Sequence, residues 1–321
     1  MFDFHRSEAL AAFKVGKLED CAELCRRGMA LAEAQGEENQ RWRLLTQLSL
    51  CLSFQGKFTE AIAILEEQPF TETVSTEIRA RVLNQKGHVL SRAGKFQPAK
   101  EHLDEALRLA TEAALPQLAG EIQINRQTHY FYLTKYDEVE KCARAALAIS
   151  EEHHLRLVEA NACAGMAKSA MYTSRQAEAI PWFARALAIY EKEGIGLYAN
   201  MMRGELGCCH FAIHEDDKAF DYFTCALDAS RASGARASLH IDLANMGALH
   251  LRRGEYARAI AHFQEALQIA RELGDRISVS KWLGNLALTY TQMGNPALAA
   301  SFQRQVDEVT AEVELARAAA R

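Results

Sequence analysis

The chain is 321 residues long and has only 5 prolines, so little in it prevents long uninterrupted helices. No apolar run approaches the roughly 18 residues that a membrane span needs. The opening Met1-Phe2-Asp3-Phe4-His5-Arg6 is charged and mixed, unlike a secretory leader. A basic excess is also missing: the formal net charge is −5, which argues against a dedicated nucleic-acid binder. The 8 cysteines include no CxxC pair and no regular spacing, which fits buried free thiols in a reducing compartment better than a disulfide framework. There is no glycine-rich phosphate loop, HExxH or GxSxG, and no His and carboxylate constellation accompanies the cysteines. The expectation is a soluble, cytoplasmic, non-enzymatic protein without cofactor or metal, touching neither nucleic acid nor membrane. What the chain does have is 49% hydrophobic residues, enough to build a core.

Those residues recur on a beat. "NMGALHLRRGEYARAIAHFQEALQIARELGD" from Asn245 and "NLALTYTQMGNPALAASF" from Asn285 align glycine on glycine at Gly254 and Gly294, 40 residues apart. Stepping back by the same interval reaches His214, Ser174 and Thr134; a step of 38 separates Gly56 from Gly94, and 40 again leads to Gly16. These eight positions are predicted to be the turns inside eight helix-turn-helix units. Small residues hold a column seven before each turn (Ala167, Gly207, Gly247, Ala287) and another five after it (Ala179, Ala219, Ala259, Ala299), as close helix crossings require. Between them stand the plugs Leu65, Leu103, Phe183, Phe223 and Phe263. Spacing within a unit is helical, with no strand alternation. Gly36, Gly194, Gly234 and Gly274 share a column at the end of the second helix, where a left-handed cap is expected.

The columns resemble the tetratricopeptide repeat (TPR): small residue, turn glycine, aromatic, then Ala-x3-aromatic-x2-Ala-Leu. The best example is Gly247, Gly254, Tyr256, Ala259, Phe263, Ala266 and Leu267. The unit is longer than the common 34-residue form and similar to the extended repeats of spindle-orientation adaptors, kinesin light chains and bacterial peptide-sensing regulators. The resemblance covers essentially the whole chain. It implies an all-α, right-handed superhelical solenoid of eight units, a single domain over 1–321, closed by a long helix from about 296 to 320. That last helix carries Phe302, Val306, Val309 and Val313 on one stripe, either a cap over the final apolar face or a homodimer seam. The compact, alanine-rich units look bacterial.

Irregular places stand out against the columns. Arg126 and Gln127 occupy core columns of the fourth unit, so that helix must be rotated, imperfectly packed or satisfied by a partner. Gln68 and Pro69 replace an Ala-Leu pair, which should end the second helix of that unit early, and Pro181 lies where it can bend another. "GCCHFAIH", Gly207–His214, resembles a metal site, since a His pair four apart can bind a metal on a helix. The columns explain it otherwise: Gly207 is a crossing residue, His210 fills a slot held elsewhere by Tyr130, Leu90, Tyr290 and His250, and His214 is the turn. The pair His153-His154 falls in an inter-unit loop and reads as solvated.

In TPR proteins the first helix of each unit lines the concave face, and ligand contacts come from fixed positions on it. One such column reads Ser7, Gln47, Gln85, Asn125, Gly165, Glu205, Asn245, Asn285. In the extended-repeat relatives an Asn there holds a peptide backbone, and an amide offers the donor and acceptor that a peptide requires. Across the contact positions Arg6, Lys14, Arg43, Arg81, Arg92, Lys168, Arg252 and Lys281 outnumber Asp3, Glu121 and Glu205, a field that would orient an acidic partner. Asn84 and His88 accompany the densest basic stretch and partly match a clamp for a chain-terminal carboxylate, but Leu10 stands where that clamp needs Asn. The predicted groove is therefore Arg6, Arg43, Gln47, Arg81, Asn84, Gln85, His88, Asn125, Lys168, Asn245, Arg252, Lys281 and Asn285. Two functions stay open: an interaction scaffold for a peptide or protein segment, acidic by preference, and the sensory module of a larger bacterial signalling or transcription-control protein.

Overall fold

The computed structural model describes residues 2–14, 18–66 and 70–319, with side chains over 7–13, 18–66 and 70–312. The described residues form sixteen α-helices and no strand. The first ten are α1 (Phe2–Lys14), α2 (Leu18–Ala34), α3 (Glu38–Phe54), α4 (Phe58–Glu66), α5 (Thr76–Arg92), α6 (Phe96–Glu112), α7 (Pro116–Tyr132), α8 (Tyr136–His153), α9 (Arg156–Tyr172) and α10 (Gln176–Lys192). They are followed by α11 (Gly196–Ala212), α12 (Asp216–Ser233), α13 (Arg236–Arg252), α14 (Tyr256–Glu272), α15 (Arg276–Gln292) and α16 (Pro296–Ala319). Contacts gather the chain into two compact units, Met1–Ala199 and Asn200–Arg321. No described helix is long and apolar enough to cross a membrane.

Among the described residues the chain reverses at a left-handed residue after the first helices of seven helix-turn-helix units. Gly56, Gly94, Gly254 and Gly294 have φ between 73° and 79°, and Thr134, Ser174 and His214 adopt 55°, 62° and 61° in the same column. Gly16 lies outside the described residues. The cap geometry is shared: Lys57 N–H donates to the Leu52 carbonyl and Glu215 N–H to the His210 carbonyl, the 6→1 bond of a helix-ending Schellman motif. A second set of left-handed residues closes the second helices, at Gly36, Ala114, His154, Gly194, Gly234 and Gly274. Turns thus fall about every twenty residues, and the helices between them are mostly of 17 residues.

Packing follows the columns. A Cβ on Gly207 would come 2.4 Å from the Phe223 ring, and one on Gly247 would come 2.8 Å from Phe263. Each fully sequestered phenyl ring is worth about 1.5–3 kcal/mol, so the missing methyl is the condition for that gain. The fourth unit solves its irregularity inside the chain. Arg126 pairs with Asp104 of α6 at 3.2 Å. Gln127 is buried and lays its amide on Gly165, while Ala143 stands where the other units place Phe183, Phe223 and Phe263. α4 spans only nine residues; Gln68 and Pro69 lie outside the described residues. α10 continues as helix through Pro181.

In the first unit α3, α5, α7 and α9 lie side by side, each against the next, with the even-numbered helices packed on them. In the second, α16 lays Phe302, Val306 and Val309 on the core built by Phe263, Leu283 and Leu286, so the described part of its stripe is a covering face. Val313 lies outside the described side chains.

Candidate functional site

Four predicted residues come together in one place. Asn84, Gln85 and His88 of α5 and Asn125 of α7 line a cavity of about 710 Å³ in the first unit. Helical spacing puts 84, 85 and 88 on one stripe of α5, and the crossing of α5 on α7 sets Asn125 beside it. Asn125 Nδ2 donates to Asn84 Oδ1 at 2.9 Å. The walls continue onto Leu50 and Phe54 of α3, Ile124 and Thr128 of α7, and Leu157, Val158 and Asn161 of α9. Asn161 in turn accepts from Tyr190 Oη at 2.9 Å, and the Tyr190 ring packs 5.4 Å from that of Tyr198, another wall residue.

Polar atoms within this cavity are left over. Both ring nitrogens of His88 and Nε2 of Gln85 are buried without a protein hydrogen-bond partner. Such groups cost about 1–3 kcal/mol each, and they mark a surface that a hydrogen-bonding ligand would satisfy. Burial, with the Arg92 guanidinium close by, pushes the His88 imidazole down to about 4 against a smaller opposing pull from Asn125. At neutral pH it is therefore an uncharged donor and acceptor.

Charge is distributed differently from the basic excess read in sequence. Arg43 reaches Glu77 at 3.3 Å; Arg81 donates to the same carboxylate at 2.9 Å and to Glu121 at 3.2 Å. Glu77 lies one helical turn before the counted positions and escaped the tally. Arg92 stacks on Phe54, 4.5 Å from the ring centroid. Arg252 lies over the Phe211 ring, donates to the Phe211 carbonyl at 2.7 Å and sits 3.5 Å from Asp216. These cations are largely answered within the chain.

The remaining predicted residues are scattered. Gln47 donates to Cys21 Sγ at 3.8 Å, and Lys168 stands 6.0 Å over the Phe131 ring, neither among the cavity walls. Asn245 and Asn285 are half-buried, and Lys281 is exposed, in the second unit. The side chains of Arg6 and Lys14 lie outside the described residues. Several wall residues escaped the sequence reading although they stand in the same columns: Leu50 and Thr128 share the column of His88, and Asn161 that of Glu121. The apolar walls carry no chemical signal that separates them from core residues. His154 belongs to the rim of the cavity, exposed and at φ 55°, not simply to a solvated loop.

In "GCCHFAIH" Gly207, Cys209 and His210 serve packing, and His214 is the left-handed turn. His210 stacks on Tyr222 with centroids 5.4 Å apart, and its Nδ1 lies 2.6 Å from Glu215; Cys209 is buried. No group of three or more His, Cys, Asp or Glu side chains suited to a metal exists among the described residues.

Comparison with known proteins agrees with the helical-repeat fold. Residues 236–306 match the Tetratricopeptide repeat family model. Residues 48–218, just over half of the chain, match the Suppressor of spindle checkpoint defect 1 C-terminal domain. The chain belongs to the TPR proteins and, through residues 48–218, to the family of that domain.

No curated protein matches this TPR chain in sequence. Solved structures do match. One is a Signal Transduction ATPase with Numerous Domains (STAND) protein with a tetratricopeptide repeat sensor from Pyrococcus horikoshii, with TM-score 0.70 and 14% identity over 99% of this chain and 49% of that one. The TPR chain thus spans about half the length of that protein. A Rap protein complexed with Competence and Sporulation Factor has TM-score 0.68 and 12% identity, covering 98% of each chain. The quorum sensor NprR from B. thuringiensis matches in its apo form with TM-score 0.69 and 14% identity over 93% of this chain and 86% of that one. NprR in complex with its cognate peptide NprX matches with TM-score 0.60 and 14% identity, over 84% and 81%. At these identities the likeness is one of fold.

Proposed function

We propose that this TPR protein binds a peptide or protein segment through the first helices of its first unit, at the cavity between α3, α5, α7 and α9. The carrying observation is the coincidence of unpartnered Gln85 and His88 nitrogens with the Asn84–Asn125 pair in one space of about 710 Å³. An extended chain presents alternating N–H and C=O groups that match such a set, and Leu50, Phe54, Ile124 and Val158 provide apolar contact for its side chains. NprR in complex with a peptide, a structure of the same fold, supports the reading.

The preference for an acidic segment is narrower than the sequence tally. Glu121 and Arg156 of the wall are each paired, with Arg81 and Glu159, and Glu193 adds a negative charge. Amide and apolar recognition therefore leads, and net charge of the ligand is secondary.

The test is fluorescence anisotropy with a display-selected peptide, titrated against wild type, Gln85→Ala and Asn125→Ala. Each substitution should weaken binding about five- to tenfold, corresponding to roughly 1–1.5 kcal/mol per lost hydrogen bond. Raising salt from 50 to 300 mM should change affinity less than twofold if charge is secondary. Unchanged binding in both variants would move the site off this cavity.

A second reading makes the chain the regulatory part of a signalling protein. The observation favouring it is that the chain spans about half of a STAND protein whose repeats are a sensor. Peptide binding at the same cavity serves either reading.

A further inference from the structure

Three thiols meet at a place that the cavity does not use. Cys21 and Cys25 stand one turn apart on α2, and Cys51 comes from α3; all three are fully buried in the cluster of Ala9, Leu48, Leu52, Ala61 and Val89. Cys21 Sγ and Cys51 Sγ are 2.7 Å apart. Unbonded heavy atoms keep about 3.5–4.0 Å, and a sulfur–sulfur bond is about 2.05 Å, so little movement separates this pair from a bond. Cys21 also receives the Gln47 amide at 3.8 Å. Hydrogen bonds from Cys25 and Cys51 lower the Cys21 thiol, while Cys25 and Cys51, as donors to it and by burial, are pushed up. Cys21 is thus the sulfur of the pair favoured as thiolate, the form that reacts.

We propose that Cys21 and Cys51 are a site of reversible intramolecular disulfide formation, with a hydroperoxide as oxidant. The Cys21 thiolate attacks the terminal peroxide oxygen; an S–O bond forms, the O–O bond breaks, and the leaving oxygen takes the proton released by Cys21 and departs as alcohol or water. Cys51 then attacks Cys21 Sγ, forming the S–S bond and breaking the S–O bond, and its proton leaves with the hydroxide as water. Two thiols are oxidised by two electrons, and one peroxide is reduced. A dithiol reductant reverses the bond by exchange. Ala12 and Phe13 of α1 pack against the cluster that holds the three thiols, so the oxidant enters on local opening of that cluster. The reaction is gated and slow.

The link has a consequence for α3. Cys51 is flanked on that helix by Leu50 and Phe54, which line the cavity, so bonding it to α2 fixes the roll of the helix that carries them. This coupling rests on the proposed peptide site; the linkage itself does not.

The experiment oxidises the reduced full chain with hydrogen peroxide at low protein concentration, followed by alkylation, intact mass and peptide mapping without reductant. Loss of two hydrogens and a cross-linked pair of peptides carrying Cys21 and Cys51 are expected, with a thermal midpoint raised and restored by dithiothreitol. In Cys51→Ala the Cys21 sulfenic acid should persist and be trapped by dimedone. Should Cys51→Ala fail to fold, Cys25→Ala should still yield the 21–51 link, more slowly. A wild-type map in which both thiols remain alkylatable, or in which another pair is linked, overturns the proposal. Peptide affinity measured on the same oxidised sample reports only the coupling: unchanged affinity removes that coupling and leaves the disulfide intact.

Discussion

Arg81 on α5 and Glu121 on α7 meet at 3.2 Å across one forty-residue step of the chain. With Glu77 and Arg43 they make a ladder of alternating charge over three neighbouring first helices. Its members are about one-third exposed, so each rung is worth about 0.5–1 kcal/mol. Arg81→Glu would set three carboxylates together and should lower the stability of the first unit by about 1–2 kcal/mol at low salt. Restoring a cation in Arg81→Glu/Glu121→Arg should recover at least half of that. Urea denaturation at two salt concentrations checks both; a neutral single variant would show the ladder to be energetically idle. The same result warns that loss of ligand binding in Arg81→Glu would not by itself locate the ligand.

Ser174 adopts φ 62° in the turn column that carries glycine at Gly56, Gly94, Gly254 and Gly294. A left-handed residue with a Cβ is strained by about 1 kcal/mol. Ser174→Gly should therefore stabilise by roughly 0.5–1 kcal/mol, and Gly254→Ser should cost a similar amount. Thermal denaturation of the two variants decides this, and a fall in midpoint for Ser174→Gly would refute it.

Gly207 and Phe223 exclude one another's growth. Gly207→Ala places a methyl 2.4 Å from the ring and should cost about 2–3 kcal/mol, the upper range for overpacking. Adding Phe223→Leu should relieve part of it, although that change alone destabilises. A double-mutant cycle with no coupling between the two sites would contradict the packing described.

Asp242 is buried with Ser230 and Asn200 as its hydrogen-bond donors, at 2.6 and 3.5 Å, and burial pushes its carboxyl up to about 6. Its folded value lies above its unfolded value, so the folded chain binds the extra proton between about pH 4 and 6. Stability should fall as pH rises through that window, by at most about 3 kcal/mol. Asp242→Asn, whose amide can donate to the unpartnered Asn200 Oδ1, should be more stable than wild type at pH 7.5 by about 1–3 kcal/mol and no more stable at pH 4. Equal gains at both pH values would mean that the carboxylate charge is not the cause.

His88 gives the opposite slope. Its folded value is depressed to about 4 from an ordinary 6.5, so below pH 6.5 the unfolded chain gains a proton that the folded chain refuses. Stability is lost as pH falls from 6.5 towards 4, by up to about 3 kcal/mol. His88→Gln should flatten that part of the profile, and a bound ligand that hydrogen-bonds the ring should shift it. Guanidinium melts across pH 4 to 7 would show the change in slope.

Much of the fold was legible because its signals are local and repeated. Gly254 and Gly294 announce a turn by backbone freedom alone, and Phe183, Phe223 and Phe263 announce their column by size. His214, Ser174 and Thr134 could be placed at turns only through register, since nothing in their own chemistry asks for φ near 60°. The cavity was half legible. Asn84, Gln85, His88 and Asn125 lay in polar columns and were found, but their walls Leu50, Ile124 and Val158 are chemically indistinguishable from core residues. The pairing of the groove cations was not legible, because a partner comes from outside the counted positions: Glu77 meets both Arg43 and Arg81. Gln127 stood out against its column, yet only the structure shows its amide lying on Gly165.

One slot recurs in the second unit with different occupants. His210 lies on Tyr222, His250 on His262 and Tyr290 on Phe302, each pair nearly parallel, within 7° and at 5.3–5.4 Å. Over these three pairs imidazole, phenol and phenyl serve alike, so what the position demands there is flatness and not polarity. These three helix pairs are therefore mating parts specified by outline, leaving their exposed chemistry free to diverge from one copy to the next.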